Sequence, residues 1–526
     1  MKVLISDNLG EIGIEMFQEA EGIDVDVNVG LSQEELKGII GNYDALVIRS
    51  ATKVTEDLLK AAANLKVVGR AGIGLDNVDI PAATKRGIIV MNTPEGNVVT
   101  TAEHTIALML SLTRNVPQGT SSLKEGRWDK KKLQGRELYK KVLGIIGLGK
   151  IGSIVADRAL GLKMQVIVYD PFVTSERIEK SGYKSVSLVE LYQQADYITM
   201  HVPKLKNTIG LINKEAFEQM KEGVMIINCA RGGIINEADL YDAMNSGKVA
   251  GAALDVFETE PPFDSPLLTL DRLICTPHLG ASTREAQTNV AVAVASQIID
   301  YLQNGTIVNA VNVSSVTGEL LIKLSPFLSL ADRMGCLQSQ LCNAPVKEVL
   351  IEYTGDFQDI DLSPVSTAVL KGLLTPMLQD NVNFVNAPVI AKERGIKVKE
   401  TFSSESEDYL NLITVQVVTT ERTSTVAGSV FGKKDARVVK IDNFRLEMIP
   451  YGHLTLINNV DRPGVIGSIA SILGEHDINI AQMQVGQEKD GEKNIIFLRT
   501  DIPIIEEVLE KLDALEMINS VTHFEL

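Results

Sequence analysis

The chain has few of the residues that would tie it to an oxidising compartment or a membrane. It contains four cysteines in 526 residues, with neither CxxC spacing nor a metal-ligand pattern, which argues against a disulfide scaffold or a zinc module. No apolar run approaches the ~20 residues of a membrane span, and "MKVLISDNLG" enters a strand without an apolar leader. We therefore expect a reduced, cytoplasmic protein with no metal site and no membrane contact.

Positive charge is also scarce. The 51 Lys and Arg residues are outnumbered by 68 Asp and Glu residues, which gives a net charge of −17. Such a balance argues against a nucleic-acid partner, which would require a basic face. An anionic substrate would need arginines placed locally. Only six histidines are present, so the candidates for a proton carrier are few.

The chain is too long for one hydrophobic core. Short apolar runs alternate with helical patterns in the first hundred residues, and six further apolar runs follow from residue 141. This pattern predicts an α/β protein with two Rossmann-like parallel sheets. A less regular α/β region and a final unit in the order βαββαβ follow. We expect four domains: 1–97 plus 291–315, 98–290, 316–450, and 451–526.

The segment "VLGIIGLGKIG" has the glycine spacing of a dinucleotide-binding loop, in Gly147, Gly149 and Gly152. A strand precedes it and a helix follows. The first glycine permits the turn, the second lets the backbone approach a pyrophosphate, and the third lets helix and strand pack closely. The alternative is an empty turn, for which glycines occur on steric grounds alone.

The next predicted strand, "QVIVYD", ends in Asp170, 23 residues after Gly147. A carboxylate there would accept hydrogen bonds from the adenosine ribose and repel a 2′-phosphate. No arginine follows at once to bind such a phosphate. The sequence therefore predicts a site for NAD rather than NADP.

A proton shuttle and a substrate anchor can be assigned beside this loop. His278 follows a strand, at the sheet edge where ligands of α/β proteins bind. Arg231, in "INCARGG", can present a fork to a carboxylate, and Glu260 would pair with His278 and raise its pKa. Each has a structural alternative: an ion pair, a helix-start acid or a satisfied histidine. We expect His201 to pack beside the cofactor and His104 to be structural.

Together these residues resemble the D-isomer-specific 2-hydroxyacid dehydrogenases. The segments "VGRAGIGLDNVD", "NTPEGN", "GRWDKKK", "GLGKIG", "INCARGG", "GAALDVFETEPP" and "TPHLGAST" all occur in family order. The resemblance implies that Arg231, Glu260 and His278 are catalytic. It further implies NAD contacts at Lys150, Ile151, Asp170, Ala230, Asp255 and Gly280. One departure is Ile73, where relatives often have threonine.

The resemblance also implies a substrate site. Its members are Arg49, Ser50, Asn97, Gln287 and Lys130. Lys130 would reach the site of a neighbouring subunit in a dimer or tetramer, although "WDKKK" could equally be a solvated charge run. Arg49, with Arg70 as a weaker candidate, favours a phosphorylated acid, since an uncharged group needs no cation.

The length of the chain resembles that of the long family members, which carry an intervening domain and an ACT regulatory domain. The resemblance implies NAD-dependent oxidation of 3-phospho-D-glycerate to 3-phosphohydroxypyruvate, the first step of phosphorylated L-serine biosynthesis. The alternatives are a glyoxylate or hydroxypyruvate reductase and a non-catalytic NAD-sensing protein on the same fold.

A site for an amino-acid effector is expected in "NNVDRPGVIG" and the strand after it. Asn459, Asp461 and Asn479 offer acceptors for an ammonium group, and backbone amides near Gly464 offer donors for a carboxylate. The resemblance implies L-serine as the ligand. The alternative is that Asn459 and Asp461 merely cap the helix that follows.

Overall fold

The computed structural model describes residues 1–313, 318–342, 344–357, 360–378, 382–404, 408–432, 434–487 and 493–525. The α/β fold class is confirmed, because four sheets follow one another along this part of the chain. The boundary predicted between residues 315 and 316 lies outside the described residues. None of the helices in the described ranges is long and apolar enough to cross a membrane.

The first sheet is parallel throughout, in the order β2-β1-β3-β4-β5. Its elements are β1 (Lys2–Ile5), α1 (Glu11–Glu19), β2 (Asp24–Val27), α2 (Gln33–Ile39), β3 (Ala45–Ile48), α3 (Glu56–Ala61), β4 (Val67–Arg70), α4 (Ile80–Lys85) and β5 (Ile89–Asn92). The interior strands β1, β3 and β4 are apolar because both of their faces are covered. The edge strand β2 is largely exposed and its apolar residues alternate with acids, so no apolar run marks it.

Two helices, α5 (Val98–Thr113) and α6 (Val116–Lys124), lead to the second sheet. This sheet is also parallel, in the order β12-β11-β10-β9-β6-β7-β8. Its elements are β6 (Val142–Ile146), α7 (Lys150–Gly161), β7 (Gln165–Tyr169), α8 (Ser175–Lys180), β8 (Lys184–Ser185), α9 (Leu188–Gln194), β9 (Tyr197–Met200), α10 (Lys214–Gln219), β10 (Val224–Asn228), α11 (Glu237–Asn245), β11 (Val249–Leu254) and β12 (Leu273–Cys275). All six strands expected from the apolar runs are present.

Helix α12 (Arg284–Asn304) returns the chain to the first sheet. Its residues Val290, Val294 and Ile298 belong to the same hydrophobic core as Val3 and Ile5. The chain thus crosses between the two sheets twice, outward through α5 and back through α12. The carboxyl ends of both sheets consequently contribute to one cleft.

The third sheet is mixed, in the order β14-β13-β15-β16-β17-β18. The β13–β14 pair is parallel and the other pairs are antiparallel. Its elements are α13 (Gly318–Leu341), β13 (Val346–Gly355), α14 (Ser363–Leu378), α15 (Ala387–Glu393), β14 (Lys397–Ser403), β15 (Asn411–Thr419), β16 (Thr423–Phe431), β17 (Asp435–Ile441) and β18 (Phe444–Met448). A short contact joins this unit to the first sheet. Asn383 Nδ2 donates to Gly87 O at 3.0 Å, and Lys85 pairs with Glu393.

The C-terminal unit has the predicted βαββαβ order. Its elements are β19 (His453–Val460), α16 (Val465–Glu475), β20 (Ile480–Gln487), β21 (Lys493–Thr500), α17 (Glu506–Asp513) and β22 (Ile518–Glu525). The sheet is antiparallel, in the order β20-β21-β19-β22. One face packs on α16 and α17 through Ile457 and Leu498. The other face, with Leu456 and Phe497, completes the core of the third sheet, so neither apolar face of the described sheet is left uncovered.

The long helices α13 and α14 cross at two glycines, and this crossing can be tested. A Cβ at Gly335 would overlap the carbonyl oxygen of Val369, and one at Gly372 would overlap that of Asp332. Backbone atoms cannot yield as a flexible side chain would. We expect Gly335→Ala to destabilise the fold by about 1–3 kcal/mol, the usual cost of overpacking, and to lower the thermal unfolding midpoint.

Gly467→Ala is the matched control. It lies on the exposed side of α16 with nothing within 4 Å of its Cβ position, so the substitution should leave the midpoint unchanged or raise it. Equal effects of the two substitutions would contradict a close helix crossing at Gly335.

Candidate active site

A cleft of about 660 Å³ opens where the carboxyl ends of the two parallel sheets meet. This edge is where open α/β sheets bind ligands. Polar side chains come from strand ends on both sides: Arg49 follows β3, Arg70 ends β4, and Arg231 follows β10. The walls are formed by Arg49, Ser50, Arg70, Ala71, Gly72, Ile73, Gly74, Asp76, Asn77, Asn97, Thr101, Ile151, His201, Val202, Pro203, Cys229, Ala230, Arg231, Asp255, Glu260, Pro277, His278, Gly280, Ala281 and Ser282.

The glycine loop between β6 and α7 has the geometry of an anion cradle. Gly147 has φ +93°, a conformation that residues with a side chain rarely adopt. A Cβ at Gly152 would overlap the carbonyl oxygen of Gly147, whereas one at Gly149 would meet nothing within 4 Å. The space in front of the α7 N-terminus is therefore open, and that helix end favours an anion.

Asp170 lies beside this loop, just after β7. Its Oδ2 accepts from the Leu148 amide at 2.7 Å and its Oδ1 from the Phe172 amide at 2.8 Å. These bonds fix the carboxylate next to the cradle, where an adenosine ribose would lie. Lys150, on the first turn of α7, forms an ion pair of 2.8 Å with Glu95. The open cradle and the fixed acid fit a dinucleotide such as NAD.

His278 and Glu260 form a direct pair in the cleft. His278 Nδ1 lies 2.9 Å from Glu260 Oε2. The hydrogen bond and charge of Glu260 raise the pKa of His278, although burial opposes this. Burial alone would raise the pKa of Glu260, but the hydrogen bond and charge of His278, together with the bond from the Phe257 amide, lower it overall. The pair can therefore accept a proton at the imidazole and stabilise the resulting positive charge.

Arg231 is held rigidly at the opposite wall. Its Nε donates to Asp76 Oδ2 at 2.7 Å, and its Nη1 donates to the Ala230 carbonyl oxygen at 2.7 Å. A Cβ at Gly74 would overlap the guanidinium group, so a side chain there would displace Arg231 from this position. These two bonds use Nε and one hydrogen of Nη1. The remaining guanidinium hydrogens can therefore donate to a carboxylate.

Two further arginines make the cleft suited to anions. Arg70 is largely buried, and burial together with the charge of Arg231 lowers its pKa to about 10. Its Nε has no hydrogen-bond partner among the described residues. Arg49 Nη1 donates to the Asn8 carbonyl oxygen at 3.0 Å. A buried guanidinium with an unused donor indicates a place for an anionic group.

The other predicted residues divide into two groups. Ile151, Ala230, Asp255, Gly280, Ser50 and Asn97 line the cleft with the catalytic candidates, whereas Lys130 and Gln287 do not line it in their own chain. Trp128, near Lys130, is 80% exposed. His201 lines the cleft as expected, and burial lowers its pKa to about 4, so it stays neutral.

The sequence did not reveal the contact of Asp76 with Arg231 or that of His104 with Asp255. His104 is not merely a core histidine, because its Nε2 lies 3.2 Å from Asp255 Oδ1. The only signal for Asp76 is its place in "GLDN", in the segment "VGRAGIGLDNVD". Arg70 carried a stronger signal, because it ends a buried strand at the same edge as Arg49.

The candidate effector residues do not share one end of the C-terminal sheet. Asn459 pairs with Asn494 where β19 ends, whereas Asn479 precedes Ile480, which pairs with Thr500 beside the start of β19. Asn459 is the last residue but one of β19 rather than part of the loop, and its Nδ2 donates to the Val460 carbonyl oxygen. Helix α16 begins at Val465, and the residue before it, Gly464, has no side chain to cap it. Asn479 donates to Asp501 at 2.6 Å. The structure thus gives no support to Asn459 as the helix cap.

Comparisons with known proteins cover nearly the whole chain. Residues 106–280 match the D-isomer specific 2-hydroxyacid dehydrogenase, NAD binding domain. Residues 323–442 match the D-3-phosphoglycerate dehydrogenase intervening domain, and residues 453–516 match the ACT domain.

Full-length relatives are similar in the same way. The chain is 44% identical to a D-3-phosphoglycerate dehydrogenase of Archaeoglobus fulgidus, with 100% of both chains covered. It is also 44% identical to one of Bacillus subtilis, covering 100% of this chain and 99% of that protein. A glyoxylate reductase structure from Paecilomyes thermophila has a TM-score of 0.56 at 29% identity, and covers 59% of this chain and 98% of its own.

The His278–Glu260 pair can be tested by titration. Glu260→Gln removes the negative charge that stabilises the imidazolium, so we expect the pKa of His278 to fall towards its ordinary value of about 6.5. The ring should then lose its proton at a lower pH than in the wild type. NMR titration of the imidazole C–H signals measures this shift.

Glu258→Gln is the control, because this nearby carboxylate makes no hydrogen bond to His278 among those the structure describes. It should leave the midpoint in place. An unchanged His278 midpoint in Glu260→Gln would contradict the assigned pair.

Proposed function

The chain belongs to the D-3-phosphoglycerate dehydrogenases, within the D-isomer-specific 2-hydroxyacid dehydrogenase family, and on that premise we propose that its cleft oxidises 3-phospho-D-glycerate to 3-phosphohydroxypyruvate. The observation that carries the proposal is the presence of three guanidinium groups, on Arg49, Arg70 and Arg231, in one cleft with the His278–Glu260 pair. A substrate with a carboxylate at one end and a phosphate at the other matches this distribution of charge.

Each side chain has a distinct role in this reaction. Arg231 binds the substrate carboxylate and polarises the oxygen at C2. His278 accepts the proton of the 2-hydroxyl group, and Glu260 stabilises the imidazolium that forms. NAD, when bound, accepts the hydride from C2. Gly147, Gly149 and Gly152 would leave room for its pyrophosphate, and Asp170 would hold its ribose.

The phosphate is assigned to Arg49 and Arg70. Arg70 is the more buried of the two, and its Nε lacks a partner among the described residues. Arg49 and the adjacent Ser50 also line the cleft. A charge-assisted bond from either guanidinium would discriminate a phosphorylated acid from one with a bare hydroxymethyl group.

The alternatives differ in what they require. A glyoxylate or hydroxypyruvate reductase would need no cation for a phosphate. The glyoxylate reductase structure covers only 59% of this chain, whereas the full-length relatives extend through both C-terminal units. A non-catalytic NAD-sensing protein would have no need of the complete arginine, glutamate and histidine set.

NAD reduction with 3-phospho-D-glycerate, compared with unphosphorylated D-glycerate, tests the proposed function. We expect the wild type to prefer the phosphorylated acid. Arg49→Ala should raise the KM for 3-phospho-D-glycerate by roughly 10- to 150-fold, because a hydrogen bond to a charged group contributes about 1.5–3 kcal/mol. The KM for D-glycerate should change little.

Lys53→Ala, a nearby lysine that does not line the cleft, is the matched control and should change neither constant. Equal increases for both substrates in Arg49→Ala would move the phosphate site to Arg70 or Lys130. If the wild type oxidised D-glycerate with the same kcat/KM as the phosphorylated acid, the substrate assignment would be wrong.

The C-terminal ACT unit is proposed to bind L-serine through Asn459 and Asp461. Asn479, at the opposite end of the sheet, could reach that ligand only from a second copy of the unit. The buried Oδ1 atoms of Asn459 and of its cross-strand neighbour Asn494 have no donor among the described residues. An ammonium group could supply one. Inhibition would further require that serine bind two states of the enzyme unequally.

We also propose a homodimer or homotetramer, in which Lys130 enters the cleft of a neighbouring subunit. The exposed Trp128 and Leu123 beside it offer apolar surface for such a contact. A cytoplasmic location is likewise proposed, in keeping with the reduced cysteines expected from the sequence.

Calorimetry of the full chain with L-serine tests the effector site. We expect heat of binding in the wild type, and Asp461→Asn should weaken binding by at least about tenfold, since a charged hydrogen bond contributes about 1.5–3 kcal/mol. Asp513→Asn, an exposed acid at the end of α17, is the control. No heat of binding in the wild type would contradict the effector site. Binding without inhibition would contradict regulation by serine.

A further inference from the structure

The loop that carries His278 is fastened to one buried carboxylate. The Asp255 side chain is 1% exposed, and its Oδ1 accepts from the Thr276 hydroxyl at 2.5 Å and from the Leu279 amide at 2.7 Å. Its Oδ2 accepts from the Gly280 amide at 2.8 Å. The chain on both sides of His278 is therefore bound to the same group.

His278 needs this support because its backbone is in an uncommon conformation. Its φ of +55° lies in the left-handed region, which a residue with a side chain adopts only where its surroundings impose it. Its amide donates to the Asp255 carbonyl oxygen at 3.0 Å. The direction of the imidazole thus depends on how firmly Asp255 is held.

Asp255 is held in turn by His104. The His104 Nε2 lies 3.2 Å from Asp255 Oδ1 and 3.1 Å from Thr276 Oγ1. The carboxylate can only accept, and the Thr276 hydroxyl has already given its hydrogen to Asp255. His104 Nε2 must therefore carry a hydrogen, which it shares between these two acceptors.

The element that carries His104 is α5, the helix that leads from the first sheet to the second. On its first turns, Thr101 Oγ1 donates to the Gly280 carbonyl oxygen at 2.9 Å. Thr100 Oγ1 lies 3.3 Å from Thr283 Oγ1, at the start of α12. The same helix face thus meets the His278 loop at its beginning, middle and end.

We propose that His104 is a positioning residue for the oxidation: through Asp255 and Thr276 it fixes the orientation of His278, and so couples the imidazole to the helix that joins the two sheets. This inference rests on the proposed function, because it assumes that His278 accepts the substrate proton. His104 itself touches neither the substrate nor the reacting atoms.

Two substitutions separate this role from a general structural one. In His104→Gln the amide nitrogen can stand near the place of Nε2 and donate to the same acceptors. In His104→Asn the shorter side chain reaches only as far as the Nδ1 position. Glu103→Gln, at the exposed neighbouring residue of α5, is the matched control.

We expect His104→Asn to lower kcat by about 10- to 100-fold, since small displacements of reacting groups are costly, while the KM for 3-phospho-D-glycerate stays near wild type. His104→Gln should retain most of kcat, and Glu103→Gln all of it. Equal losses of kcat in the Gln and Asn variants would overturn the proposal. A fall in NAD affinity or in unfolding midpoint with unchanged kcat would also overturn it.

A second measurement does not depend on the substrate. Hydrogen–deuterium exchange of residues 276–283 should be faster in His104→Asn than in the wild type and near normal in His104→Gln. Unchanged exchange in His104→Asn would overturn the proposal even in an active enzyme. Failure of the wild type to oxidise 3-phospho-D-glycerate, with the exchange difference intact, would instead count against the proposed substrate.

Discussion

Three positive charges confined to one cleft are the constraint on which the proposed active site depends. Arg49, Arg70 and Arg231 lie at or just after the ends of parallel strands from both sheets, and all three line the same cleft. Burial and mutual repulsion lower the pKa of Arg70, and Asp76 offsets only part of the charge. A ligand with two anionic groups would relieve the repulsion. The chain as a whole carries −17, so the attraction is local and acts at short range.

What could be predicted from the sequence was local in the chain. The glycine loop and Asp170 follow from spacing, because the strand, turn, helix and next strand of a βαβ unit are consecutive. The interior strands β3 and β6 follow from unbroken apolar runs, since both faces of a parallel sheet are covered. The His278–Glu260 pair was also within reach, because only 18 residues separate its members.

What could not be predicted depends on distant pairs and on context. Asp76 and Arg231 are 155 residues apart, and His104 and Asp255 are 151 apart. Nothing in either segment specifies the other. The strand β8 has only two residues and β2 is an exposed edge, so neither has an apolar signature. The secondary-structure propensity of a segment depends on its own residues, whereas these contacts and edge strands form only when the sheets assemble.

The return of α12 to the first sheet has a consequence for how the protein is made. Val290, Val294 and Ile298 complete a core whose other members lie mainly in residues 3–91. A ribosome that has finished β5 must add roughly 200 more residues before that core can close, or about 10–40 s at 5–20 residues per second. During that interval the apolar surface of the first sheet that α12 later covers is exposed. Chaperones or the nascent second sheet must cover it until α12 is made.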